Sequence, residues 1–472
     1  MNKSDSSIVS IYGILKAGGV YVPLDANAPE QRIAYIIDNC SIQCMLTSTA
    51  KSASAASLSA MTTSLKTAIL MDDKKEPAPA GKLRLISWKE VLSHPDSSLP
   101  ENLSVETDLA YILYTSGSTG TPKGVMITHL NVLTFIRWVA ETFQAGPEDR
   151  FSNHAPLHFD LSTLDIFTAM MVGAAVYPVP ETLSVFPVRL ADWIDKSGIT
   201  IWYSVPSILS MMVLHGMLDR LRFEKLRIVF FAGEVFPVKF LRDLMKLVPG
   251  PGYYNLYGPT ETNVITWYQV PELPPDRTKP IPIGKACSNM EVFALADDGT
   301  VVSTIGKEGE LVGRGSFVAM GYWADPEKTA KGFVLNPVQQ HFNERIYRTG
   351  DIVMLDESGD YIYVGRRDHM IKSRGYRIEI GEIEAAIYSH PEIKEAAVIP
   401  IPDELITNKI KAFVVLQKGK TLEPADIRGF CSEKLPHYMV PEIVEFRDDL
   451  PKTSTGKINK PALVAESAAS GR

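Results

Sequence analysis

With 472 residues, 45% of them hydrophobic and 22% charged, the chain has material for several packed domains with cores of their own. A formal charge of -7 leaves no basic surplus for nucleic acid. Four cysteines are too few for a disulfide framework, and Cys40 and Cys44 lack the His or Cys pair that would complete a zinc site. No apolar run reaches the ~18 residues of a membrane span. The expectation is a soluble, cytoplasmic, monomeric protein with free thiols and neither nucleic acid nor membrane as partner.

In chain order, Ile8 to Leu15 reads as an amphipathic helix stopped by Gly18-Gly19, and Val20 to Leu24 as a strand. A chain that starts inside an α/β layer reads as lacking an opening segment. A helix and a strand follow between Ile33 and Thr47, then an Ala- and Ser-rich stretch from Ala50 to Ser64 that suits a weak helix or an insert. Strand and helix alternate from Ala174 to Tyr203, and Leu226 to Phe231 is a continuous apolar run ending in Ala232-Gly233-Glu234. Such runs suit buried parallel strands with ligands at their carboxyl ends, so the loop after Phe231 is a candidate pocket wall. From Gly284 to about Val364, short strands and turns such as Asp297-Asp298-Gly299 and Glu357-Ser358-Gly359 predict an antiparallel or barrel-like subdomain. A boundary falls at Gly365-Arg366-Arg367-Asp368, and the remainder, with strands at Arg377 to Ile380, Glu395 to Ile401 and Lys411 to Leu416 and a helix burying Ile383 and Ile387, reads as a small α+β domain.

The stretch Tyr114-Thr115-Ser116-Gly117-Ser118-Thr119-Gly120-Thr121-Pro122-Lys123-Gly124 carries the first chemistry. Glycines let backbone N–H groups approach an anion, hydroxyls donate to phosphate oxygens and a lysine supplies a point charge. It is not the ordinary P-loop: counting from Gly117, Pro122 stands where the second glycine belongs and Gly124 follows Lys123 in place of Ser or Thr. It is a phosphate loop of another kind.

Four further motifs follow it: Tyr257-Gly258-Pro259-Thr260-Glu261-Thr262, Tyr347-Arg348-Thr349-Gly350-Asp351, Gly365-Arg366-Arg367-Asp368 and Lys452-Thr453-Ser454-Thr455-Gly456-Lys457. Each alone is weak. In this order and spacing, together with Leu15 to Pro23 and Gly309-Glu310-Leu311, they resemble the adenylate-forming (AMP-binding) superfamily and within it the amino-acid adenylation domains of nonribosomal peptide synthesis. The resemblance runs from about Ile8 to Lys457. It implies an α/β fold of acetyl-CoA synthetase type: a large N-terminal domain of α/β subdomains plus a small β-barrel subdomain (1–367), then a small mobile α+β C-terminal domain (368–472). No carrier domain follows Lys457, so the resemblance implies a free-standing enzyme that serves a separate phosphopantetheinylated carrier protein.

The reaction so implied is attack of a substrate carboxylate on the α-phosphate of ATP, giving acyl-AMP and pyrophosphate. A carboxylate needs no general base; the barrier lies in bringing two anions together, which calls for cations and dipoles. By resemblance, Thr115, Ser116, Gly117, Ser118, Thr119 and Lys123 hold the β- and γ-phosphates, Asn255 binds adenine with Tyr257 packed on it, and Thr260 contacts the α-phosphate. Glu261 binds Mg²⁺, a hard cation suited to carboxylate and phosphate oxygens. Asp351, assisted by Arg366, takes the ribose hydroxyls, and Lys457 is the catalytic lysine that bridges the substrate carboxylate and the α-phosphate. For the second step, acyl transfer to a thiol, the small domain turns about a hinge at Asp368, withdraws Lys457 and brings the loop from Lys372 to Gly375 to the site.

The segment His158-Phe159-Asp160-Leu161-Ser162-Thr163-Leu164 matches the stretch whose aspartate binds a substrate α-amino group, although Asp160 before an apolar run also suits a helix N-cap. The family's pocket positions fall on Asp160, Leu161, Leu164, Tyr203, Phe230, Ala232, Leu256, Val264 and Ile265. An apolar wall offers nothing to a charged or amide side chain. The set resembles the pockets of prolyl-AMP ligases, including those of the cyanobacterial anatoxin type, and implies L-proline. One methylene changes selectivity by only ~1–3 kcal/mol, so pipecolate, valine and alanine stay open. An acyl- or aryl-CoA ligase is the second reading, disfavoured by Asp160. A catalytically inactive AMP-binding module is the third, disfavoured by Glu261, Asp351 and Lys457.

Overall fold

The structure, a computed structural model, describes residues 1–72, 74, 81–95, 103–117, 121–339, 341–367, 370–452 and 458–470. Ser118, Thr119, Asp368 and Lys457 lie outside them. The chain opens with a helix at Asp5–Lys16, capped by a reciprocal pair of bonds between Ser4 and Ser7. Val20 to Leu24 does not form the expected strand; only Tyr21 makes an isolated parallel bridge, to Tyr111. Pro23 lacks the N–H that a continuing ladder needs. A helix at Glu30–Asn39 and the predicted weak helix, found at Ser52–Met61, accompany a parallel three-stranded sheet of β1 (Cys44–Thr47), β2 (Thr67–Leu70) and β3 (Arg84–Ile86).

The strands flanking the loop expected to hold phosphates, β4 (Leu109–Thr115) and β5 (Lys123–Thr128), pair antiparallel with Thr115 opposite Lys123. Beyond it, β6 (Arg150–Asn153), β7 (Ala175–Pro178), β8 (Ile201–Ser204), β9 (Ile228–Phe231), β10 (Gly252–Tyr257), β11 (Thr266–Gln269) and β12 (Lys285–Ala286) form a seven-stranded sheet in the order β12-β11-β10-β9-β8-β6-β7. Its neighbours from β10 to β7 run parallel, while β11 and β12 are antiparallel.

Alternation along these strands decides what faces the site. Ile201, Tyr203, Ile228 and Phe230 point into one core, while Trp202, Val229 and Phe231 point into another on the opposite face. Both faces are covered, which is why the apolar run at β9 is unbroken. Tyr203 pairs with Phe230 in register, so the two reach the same face at the same level.

The predicted antiparallel region is a six-stranded sheet built on β13 (Met290–Leu295), β14 (Val301–Val302), β15 (Glu308–Gly315), β17 (Phe333–Leu335), β18 (Arg345–Leu355) and β19 (Tyr361–Arg366). The short strand β16 (Gly321–Tyr322) leaves it to pair with β5 and so carries Tyr322 to the phosphate loop. The small domain starts with the hairpin β20 (Met370–Ser373) and β21 (Tyr376–Glu379), followed by a helix at Ile380–Tyr388 that buries Ile383 and Ile387 completely. Its sheet of β22 (Ile393–Asp403), β23 (Thr407–Leu416) and β24 (Ile443–Phe446) alternates in the same way: Ala396, Val398, Ala412 and Val414 face one core, and Ala397, Ile399, Phe413 and Val415 the other.

Candidate active site

The site lies at the carboxyl ends of β8, β9 and β10, where a parallel sheet leaves its crevice. Ala232, Leu256, Val264, Leu161, Leu164, Tyr203 and Phe230 are all buried in one core on that face. Ile265 is not with them. It packs with Tyr257, Leu311 and Val353 in a separate core toward the six-stranded sheet, because it follows Val264 in extended chain and consecutive side chains point to opposite sides. The assignment of Ile265 to the pocket wall is corrected on this ground. Phe230 is wholly buried, its ring 4.6 Å edge-on from Phe143 and 5.9 Å from Tyr203.

Asp160 stands before a short helix, Leu161–Thr163, that passes into a π-helical turn over Leu164–Thr168, a local widening of the helix frequent at functional sites. Its side chain does not cap that helix. Instead the Thr260 hydroxyl bonds it, and burial pushes the carboxyl up from its ordinary range against that bond, with Glu261 adding to the rise. Among the described residues no cation comes within 4.0 Å of Asp160 to form an ion pair. Tyr111 closes the same corner, bonded to Thr163 and Asn263, and Asn263 donates to the Thr163 hydroxyl at 2.8 Å.

The phosphate end is the reverse. Glu261 is fully buried and both of its oxygens are occupied: Oε1 accepts from the Tyr322 hydroxyl at 2.6 Å and lies 3.2 Å from Lys123 Nζ, while Oε2 accepts from Arg377 at 2.8 Å. Burial alone would raise this carboxyl, but Arg377 and then Lys123 outweigh it and hold the group well below the usual carboxylate range. Lys123 is pulled down from its ordinary value, by burial first and by Arg377 second. Gly117, where a Cβ would meet the Thr121 carbonyl at 1.9 Å, donates its N–H to the Glu382 carboxylate at 3.2 Å, and Glu382 is also held by Arg32. Ser116 donates to the Arg377 carbonyl at 2.8 Å, whereas the Thr115 hydroxyl is buried without a partner. Arg377 and Glu382 of the small domain therefore occupy the loop expected to hold phosphates. Neither was singled out in the sequence, where they read as ordinary members of a strand and a helix, 116 and 265 residues from their partners.

Between the two domains lies a cavity of about 670 Å³, within the usual size of a small-molecule site, lined among others by Asn255, Tyr257, Ile281, Arg366 and Lys372. Asn255 donates to the Pro282 carbonyl at 2.8 Å. Tyr257 donates to Asp351, which also accepts from Arg366 at 2.6 Å. Lys372 extends over the Tyr257 ring, 5.8 Å from its centre, and its ammonium is lowered by burial against the pull of Asp351.

A crevice of this kind, with a glycine- and hydroxyl-rich loop at one end, the buried Glu261 beside it and a small domain above it, fits a nucleotide-dependent ligase. The model of the family "AMP-binding enzyme" matches residues 1–323 and that of its C-terminal domain matches residues 382–457. The chain belongs to this family and is an adenylating, ATP-using ligase. It is 41% identical over 467 residues to an L-proline:[L-prolyl-carrier protein] ligase of Pseudomonas fluorescens, covering 98% of this chain and 88% of that protein. To a ligase of the same name from Streptomyces coelicolor it is 37% identical over 462 residues, 97% of this chain and 84% of the relative. Among solved structures, the Vibrio cholerae adenylation domain AlmE in complex with glycyl-adenosine-5'-phosphate superposes with a TM-score of 0.82 at 25% identity, covering 99% of this chain and 88% of that one. No helix among the described residues is long and apolar enough to cross a membrane.

Proposed function

We propose that the chain activates L-proline as prolyl-AMP and passes the prolyl group to the phosphopantetheine thiol of a separate carrier protein. The observation that carries this reading is Asp160, a half-buried carboxylate at an apolar pocket that forms no ion pair within 4.0 Å among the described residues, with Lys372 acting on it only from further away. A carboxylate in that position is costly unless a ligand brings the positive charge, and an α-ammonium does so. Leu161, Leu164, Tyr203, Phe230, Ala232, Leu256 and Val264 offer it an apolar, partly aromatic wall. The similarity to two ligases named for proline supports the choice among apolar amino acids.

In the first half-reaction the substrate carboxylate attacks the α-phosphate, with Thr260 and Lys457 as the donors that stabilise the developing charge. Thr115, Ser116, Gly117 and Lys123 receive the outgoing pyrophosphate; the partnerless Thr115 hydroxyl and the cramped Gly117 backbone both suit an anion. Asn255, Tyr257, Asp351 and Arg366 hold the adenosine. Glu261 fits as the single carboxylate of a Mg²⁺ site, since Mg²⁺ takes one or two carboxylates and completes its shell with phosphate oxygens and water, provided Arg377 is withdrawn. Bound there, the ion would neutralise phosphate charge. In the second half-reaction the thiol attacks the prolyl carbonyl and AMP leaves, with the loop from Lys372 to Gly375 at the crevice and Asp368 as the hinge.

Amino-acid-dependent exchange of pyrophosphate into ATP, run with the twenty amino acids, pipecolate, a fatty acid and an aryl acid, tests the reading. Proline is expected to give the highest rate. Exchange with the fatty or aryl acid alone would establish an acyl- or aryl-CoA ligase instead, and no exchange with any of them an inactive nucleotide-binding module.

A further inference from the structure

The loop after β9 ends in Glu234, a buried acid that the chemistry above leaves without a task. Its two oxygens accept two backbone N–H groups from different parts of the molecule. One bond, of 3.0 Å, comes from Ser207 in the first turn of the helix Pro206–His215; the other, of 2.7 Å, comes from Gly375 of the small domain, 141 residues away in sequence. The first satisfies a helix-terminal N–H that Val205, at the cap position, has no side-chain acceptor to serve. The second ties down the tip of the β20–β21 hairpin.

The tip is shaped for this contact. Gly375 has φ +79, and a Cβ there would lie 2.4 Å from Val205 Cγ1. Gly233 has φ +93 and its Cβ would stand 3.7 Å from the Gly375 carbonyl. Two glycines thus let the hairpin backbone lie against the ends of β8 and β9, the strands that also carry Tyr203 and Phe230. Lys372, one strand earlier in the same hairpin, is thereby held above Tyr257.

We infer that Glu234 is a positioning residue for the acyl-transfer half-reaction: its carboxylate latches the 372–375 loop over the crevice through Gly375 N–H while it keeps Ser207 N–H capped. The inference rests on the two-step reading of the enzyme. When the small domain turns, Gly375 leaves and Glu234 retains one of its two partners, so the latch is specific to this orientation of the domains. A carboxylate suits the task because both of its oxygens accept; an amide has one accepting oxygen and would present its NH₂ group to one of the two N–H donors.

The test separates the half-reactions in Glu234→Gln and in Gly375→Ala, which crowds the loop from the other side. Adenylation is read by proline-dependent pyrophosphate exchange, and transfer by single-turnover decay of preformed prolyl-AMP with a phosphopantetheinylated carrier protein and, separately, with pantetheine. Both variants should lower the transfer rate about tenfold or more, the effect of losing one charge-assisted hydrogen bond, with less than a threefold change in exchange. Equal loss in both half-reactions, or in neither, overturns the latch. Hydrogen exchange of the peptide containing Gly375 gives a readout that needs no acceptor: exchange should speed up in Glu234→Gln. Should wild-type protein acylate no thiol while this peptide still loses protection in the variant, the two-step reading fails and the latch geometry stands; unchanged protection overturns the latch itself.

Discussion

The two ends of the crevice solve opposite problems. At the phosphate end, every described charge has a protein partner: Glu261 has Lys123 and Arg377, and Glu382 has Arg32 and the Gly117 N–H. At the amino-acid end, Asp160 has a hydroxyl and no cation within 4.0 Å among the described residues. The difference teaches which ligand must displace something. On the reading proposed above, an ammonium can enter beside Asp160 directly, whereas a triphosphate would have to displace the Arg377 guanidinium and the Glu382 carboxylate, which couples phosphate binding to a turn of the small domain.

The largest expected effect is at Lys457, the residue proposed as the catalytic lysine. Lys457→Ala should lower pyrophosphate exchange by at least about a hundredfold while equilibrium dialysis finds ATP still bound, since the lysine acts on charge developed in the transition state; near-normal exchange would remove it from the chemistry. Next is Asp160→Asn. Loss of a charge-assisted bond worth ~2–3 kcal/mol should cut kcat/KM for proline by about 30- to 100-fold and leave the KM for ATP little changed, measured by exchange over both substrates. Because burial raises this carboxyl, the proline KM should also begin to climb at a higher pH than an ordinary aspartate would dictate, and that pH dependence should vanish in the asparagine variant.

The comparison can be sharpened from the other end with Glu382→Gln. Removing a negative charge that competes for Gly117 should tighten ATP binding by about three- to tenfold by calorimetry, the factor carried by ~1 kcal/mol; weaker binding would show that Glu382 supports the loop and does not compete for it. The smallest effect expected is one of pH on stability. Glu261 is held low by Arg377 and Lys123, so its contribution is complete above the unfolded value of about 4.3 and is lost as pH falls through the lower folded value. Urea unfolding of wild type and Glu261→Gln should therefore differ by a constant amount from about pH 5 to 8, with the gap closing only below about pH 4.

Much of this crevice was legible in the sequence because its parts are local. The apolar run at β9 predicted a buried parallel strand, and the order of the motifs predicted the family. Failures came where neighbours in space decide. Val20 to Leu24 has a strand-like composition but finds only one bridge, and Ile265 falls on the far side of the chain from Val264.

By itself the sequence determined the alternation that builds each sheet, the backbone freedom at Gly117 and Gly375, and which residue types could meet a nucleotide and an amino acid; these follow from side-chain chemistry and periods of a few residues. Only the tertiary structure decided that Arg377 lies on Glu261, that Glu382 faces the phosphate loop and that Glu234 joins Gly375 to Ser207. Those pairs span domains and are set by how one packed body rests on another, a choice that no local pattern encodes and that long-range electrostatics and packing make together.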